Sequence, residues 1–138
     1  MKGRLQLSRD ETRMLGAILT SLSERTKYPL SLNSLLQRWE DFVAQVEKGY
    51  EGSIYEYTND LSIRDVLQEI LLKVPLSLHD TLLQRVQPWD DRLHEATCTS
   101  RRPLAPAVPH DAPSWWFRIP KKLATQLEND LRSEGILA

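Results

Sequence analysis

From Leu32 to Tyr50, large apolar residues return at helical spacing: Leu32, Leu35, Leu36, Trp39, Val43, Val46 and Tyr50, with Phe42 at the stripe's edge. At about 100° per residue these positions share one face. They do not alternate with period two, so a strand is excluded. Ser31 stands where a helix N-cap belongs, and Gly49 where a helix can end in a left-handed conformation. Ser53-Ile-Tyr-Glu56 is a capping box that opens a second stripe of Ile54, Tyr57, Leu61, Ile63, Val66, Leu67, Ile70, Leu71 and Val74. A break is expected near Asp60–Ser62. The pair reads as two antiparallel helices joined by a turn at Gly49–Gly52.

The same pattern extends in both directions. Ser8-Arg-Asp-Glu11 is a capping box ahead of Met14, Leu15, Ile18, Leu19 and Leu22, and this helix should end near Arg25, before Lys27-Tyr28-Pro29. Beyond Pro75, Ser77-Leu-His-Asp80 resembles another box. Leu78, Leu82, Leu83, Val86, Trp89, Leu93 and Ala96 keep one phase across Pro88, which predicts a kinked helix or two collinear ones. Residues 99–114 carry Pro103, Pro106 and Pro109 on one side of a polyproline II turn. That segment reads as an arm laid over the domain or as a ligand for an aromatic groove. Trp115-Trp116-Phe117 should pin it. Ile119, Leu123, Leu127 and Leu131, four apart, predict a last helix stopped by Gly135, with Lys121 and Lys122 in its first turn.

These elements predict an all-α, single-domain four- to five-helix bundle with a proline-rich extended arm and a C-terminal helix. The expected division is 1–98 for the bundle core, 99–119 for the arm and aromatic anchor, and 120–138 for the C-terminal helix. A chain of 138 residues can bury roughly 68–70% of its unfolded surface, enough to fold without a disulfide or a metal. Cys98 is the single cysteine, so no intrachain disulfide can form and a reducing compartment is expected. No run approaches the roughly 18 apolar residues of a membrane span, and the N-terminus lacks a signal-peptide core. A cytoplasmic location follows as the expectation.

Charge divides more sharply than the net −1 suggests. Residues 40–70 hold eight acids (Glu40, Asp41, Glu47, Glu51, Glu56, Asp60, Asp65 and Glu69) against Lys48 and Arg64, a local −6. Residues 1–39 carry +4 and residues 101–138 carry +2. Tyr55 and Asn59 lie opposite the apolar stripe and should be exposed. Glu47, Glu51, Tyr55, Glu56, Asn59 and Asp60 therefore form a candidate binding surface for a basic partner. The plainer reading is a solvated helix face. Arg9, Arg13 and Arg25 make a basic face on the first helix, but without interleaved aromatics nucleic acid is an improbable partner.

Catalytic patterns are sparse. The chain has no glycine-rich phosphate loop, no CxxC, no HExxH and no GxSxG. Asp90, His94 and Cys98 recur at i, i+4, i+8, the best metal-ligand or acid–thiol candidate. The outer two would stand about 12 Å apart along a helix, too far for one ion. No cofactor is expected.

The string W-x-x-F-V-x-x-V-E-x-G-Y from Trp39 to Tyr50, followed by E-Y-x-N-D-L from Glu56 to Leu61, resembles small bacterial all-helical proteins of unassigned function. The resemblance covers residues 39–61 and implies a helical fold alone. The functional expectation is a non-enzymatic protein-binding module, of toxin-neutralising or inhibitor type. Two other classes stay open: a small enzyme or metal-binding protein using His94 with Asp90 or Cys98, and a self-associating subunit using Trp115, Trp116 and Phe117.

Overall fold

A computed structural model describes residues 7–26, 31–100 and 115–137. Among them are five helices: α1 (Arg9–Thr26), α2 (Leu32–Lys48), α3 (Ile54–Lys73), α4 (Leu76–Ala96) and α5 (Thr125–Ser133). A two-residue strand β1 (Thr97–Cys98) pairs antiparallel with β2 (Ile119–Pro120). The fold is all-α, and no helix among the described residues is long and apolar enough to cross a membrane.

Helix α2 is the axle, packed on both α3 and α4. Its stripe is buried throughout, from Leu32 to Val46. The Ser31 hydroxyl caps it through the Ser34 amide, and Gly49 ends it at φ 108°, a conformation that disfavours any side chain. Gly52 is needed for a different reason. A Cβ there would lie 2.8 Å from the Tyr50 ring. That close approach lets Tyr50 fold back against Phe42 and Tyr57, with ring centroids 5.6 and 5.2 Å away. Trp39 stacks on the other side of Phe42 at 5.4 Å. Such aromatic pairs contribute about 0.5–1.5 kcal/mol each beyond their area.

The core is continuous from Leu15 and Leu22 of α1 to Leu127 and Leu131 of α5, and it includes Trp116. Of the expected aromatic anchor, Trp116 is part of this interior and Phe117 packs against it, while Trp115 stays 38% exposed. Gly135, at φ 71°, stops the last helix, and the Ile136 and Leu137 amides return to the Leu131 carbonyl.

Several expectations need correction. Helix α3 runs unbroken through Asp60–Ser62, because Leu61, Ile63 and Arg64 are all buried there. The Ser77 capping box does not form. Pro75 occupies the N-cap position of α4, and the Ser77 hydroxyl donates to Glu11 of α1 at 2.7 Å. Lys121 and Lys122 precede α5, since β2 and the Tyr50–Leu123 bridge take up the chain before Thr125. Pro88 lies inside one helix, its exposed side turned to solvent while Val86 and Leu93 on either side are buried. The 101–114 part of the proline-rich arm, the Lys27-Tyr28-Pro29 turn and the Arg25 side chain lie outside the described residues.

One polar cluster crosses this core. Asp90 of α4 accepts from Arg64 of α3 through Nε at 3.0 Å and Nη2 at 2.9 Å. Trp39 Nε1 of α2 donates to the same carboxylate at 3.0 Å. Arg64 and Asp90 are each 3% exposed. Asp90→Ala leaves Arg64 buried without its counter-ion and is expected to cost about 3–5 kcal/mol in urea unfolding. The double replacement Arg64→Met, Asp90→Leu should cost less than Asp90→Ala alone.

Candidate functional site

The head of α3 and the turn before it carry exposed acids of the acidic segment, Glu51 and Glu56. Ser53 and Glu56 form the expected capping box, the Ser53 hydroxyl accepting from the Glu56 amide and the Glu56 carboxylate from the Ser53 amide. Ile54, the first helical residue, donates its amide to Asp130 of α5 at 3.0 Å. Asp130 also accepts from Gln126. A carboxylate 76 residues away in the chain thus adds to the negative charge at this helix start. Sequence spacing gave no signal for it.

Three tyrosines surround this point and have opposite fates. Tyr50 is buried, and its hydroxyl donates to Asp60 at 2.6 Å. Tyr57 is buried, and its hydroxyl donates to the Arg118 carbonyl at 2.6 Å. Burial pushes both phenols well above the usual tyrosine range. Tyr55 alone of the three stands in solvent, 76% exposed. Glu51, Glu56 and Asn59 are exposed beside it.

The six residues of the candidate surface therefore divide. Glu51, Tyr55, Glu56 and Asn59 share the exposed head. Asp60 is turned to Tyr50. Glu47 belongs to α2 and is bidentate to Arg92 of α4, whose Nε approaches Oε2 at 3.0 Å. Arg92 first by hydrogen bonding, then by its charge, holds the Glu47 carboxyl below the usual range. Arg92 also lies 4.2 Å over the Trp89 ring.

The same absorption runs along the rest of the acidic segment. Glu40, buried, pairs with Arg85 at 3.1 Å. Asp41 accepts from Gln37, Glu69 pairs with Lys73, and Asp65 accepts from Trp116 Nε1 at 2.9 Å. Two of the three acids of α2, Glu40 and Glu47, are consequently paired along a seam with α4. Glu51 in the turn and Glu56 at the start of α3 stay exposed.

Asp90, His94 and Cys98 do not come together. Asp90 is enclosed by Arg64 and Trp39, and burial raises its pKa against the lowering effect of Arg64. His94 is exposed, with the Trp115 ring 6.1 Å away. Cys98 has left the helix for β1, so the i+8 geometry does not exist. Among the described residues no group of three His, Cys, Asp or Glu side chains is placed to hold a metal. A cleft of about 290 Å³ between α2, α4 and the chain before α5 is lined by Glu47, Arg92, Glu95, Lys121 and Lys122, charges of both signs.

No family model matches the chain, and comparison with curated proteins and with solved structures finds no match.

Asp65 titrates in a partly apolar setting. Burial raises its pKa above 3.8, opposed by the Trp116 N–H and by Arg64. A raised folded-state value means that the folded chain holds this proton more tightly than the unfolded chain. The contribution is present in full below pH 3.8 and is lost as pH rises through the folded value. Asp65→Asn keeps a carbonyl acceptor for Trp116 and does not titrate. Urea unfolding across acidic pH should show wild type losing stability relative to Asp65→Asn as pH rises above 3.8.

Proposed function

We propose that this chain is a non-enzymatic protein-binding module that docks a basic protein on the head of α3, as an inhibitor or toxin-neutralising protein would. The observation that carries the reading is Tyr55. Its ring is 76% exposed, whereas both neighbouring tyrosines are spent on the core. A tyrosine supplies a large contact area with a polar tip and few rotatable bonds, so it anchors interfaces well. The carboxylates of Glu51 and Glu56 flank it, and Asp130 extends the same sign of charge from α5. Such a surface attracts a cationic partner over a distance of about 10 Å and rejects acidic ones.

Other classes draw less support from the geometry. An acid or metal site at Asp90 would have to break the bonds from Arg64 and Trp39. Self-association through Trp115-Trp116-Phe117 would have to extract Trp116, which is buried and hydrogen-bonded to Asp65. A reducing, cytoplasmic setting suits the single cysteine, and a bacterial source suits the resemblance of residues 39–61.

The test is binding of immobilised chain to a panel of purified basic proteins, nucleases included, at low and high salt. Wild type should retain at least one of them, more weakly as salt rises. Tyr55→Ala should weaken that complex by about 2 kcal/mol, roughly 30-fold. Glu51→Lys should weaken it further at low salt than at high salt. Retention of no basic protein, or equal retention by wild type and both variants, sinks the reading.

A further inference from the structure

The cleft of about 290 Å³ opens between the last turns of α2 and α4 and the chain that leads from β2 to α5. Val46 and Ala96 give it an apolar lining, and its other lining side chains are charged. Two of those charges cancel, since Arg92 is bidentate to Glu47 and stacked on Trp89. Lys121, Lys122 and Glu95 stay exposed, and none of these three side chains has a hydrogen bond or ion pair among the described residues. Two unspent positive charges thus face one negative. The helix ends do not use the lysines either. The carbonyls of Val46, Leu93, His94 and Ala96 are taken by the Gly49 amide, the Thr97 hydroxyl, the Thr97 amide and the Lys121 amide in turn. The backbone under the lysines is held on both sides, by the Lys121–Ala96 hydrogen bond at 2.9 Å and by the Tyr50–Leu123 bridge.

We propose that this cleft binds a small phosphate monoester, its phosphoryl group held by the Lys121 and Lys122 ammoniums and its carbon skeleton laid against Val46 and Ala96. A lysine ammonium is a compact charge with three donors, well suited to phosphoryl oxygens. Two ammoniums match the near-double charge that a phosphate monoester carries at neutral pH. A single dianionic group can engage two lysines adjacent in the chain, whereas a monocarboxylate leaves one of them unmatched. The volume lies at the lower end of ligand clefts, which run from roughly 300 to 1,000 Å³, so the ligand is small. Glu95 opposes the dianion, which sets the affinity low, at about 1 mM. No residue of the exposed head of α3 lines the cleft, so this site stands or falls separately from the binding function above.

Titration of the isotopically labelled full chain with α-glycerol phosphate in about 0.1 M salt, followed by NMR, tests the proposal. The amide signals of Glu95, Ala96, Lys121 and Lys122 should shift saturably with a midpoint of about 1 mM, and glycerol should shift none of them. Lys121→Gln with Lys122→Gln should weaken binding at least about tenfold. Both residues are exposed, so the variant keeps its fold, which far-UV circular dichroism verifies. Glu95→Gln should tighten binding about threefold by removing the opposing charge. No saturable shift below about 20 mM overturns the site. Undiminished binding by the double-glutamine variant, or no gain in Glu95→Gln, overturns the hold assigned to the lysines. Equal affinity for succinate overturns the choice of a phosphoryl group.

Discussion

The bundle depends on the contact among Arg64, Asp90 and Trp39. It joins α3, α4 and α2 at one buried point, with both carboxylate oxygens and most of the guanidinium engaged. Gln68 takes a further guanidinium N–H. Burying an ion pair yields little net stability, since desolvation offsets much of the attraction. Its effect is directional. Leucine stripes would tolerate a slide of one helix along another, whereas a bidentate arginine–carboxylate contact fixes one register. The Trp116 ring then lies 4.8 Å from the Arg64 guanidinium carbon while its N–H reaches Asp65. The segment before β2 is thereby seated on the same two residues of α3.

Charge placement follows from that register. With α4 fixed beside α2, Arg85 comes to Glu40 and Arg92 to Glu47. The two acids are seven positions apart on α2 and the two arginines seven apart on α4, about two helical turns on each side. The seam pairs Glu40 and Glu47 of α2, while Asp41 stays exposed. At the head of α3 the situation reverses. No base of α4 reaches it, and α5 brings a carboxylate in place of a cation. Glu51 and Glu56 therefore stay exposed in the same stretch as Tyr55.

Much of this was legible in the chain. The helix starts at Ser8, Ser31 and Ser53 and the stops at Gly49 and Gly135 are local: a hydroxyl three residues from an amide, or a backbone angle open to glycine. The exposure of Tyr55 followed from the phase of its helix. The Ser77 box failed because Pro75 starts the helix two residues earlier, and a remote glutamate then takes the hydroxyl. The break at Asp60–Ser62 failed because the burial of Leu61, Ile63 and Arg64 outweighs weak local propensity.

By itself the sequence determined the all-α class, the faces most helices bury and the tyrosine that is left outside, and it left the helix number at four to five. Those properties arise from periodicity and from hydrogen bonds only a few residues long. The tertiary structure alone decided which carboxylates are spent and which are free. A charge finds its partner through space, and Asp90, Glu47 and Asp130 meet groups 26, 45 and 76 residues away. Residue type cannot reveal that outcome, because an aspartate bound to a buried arginine and one facing water are written with the same letter.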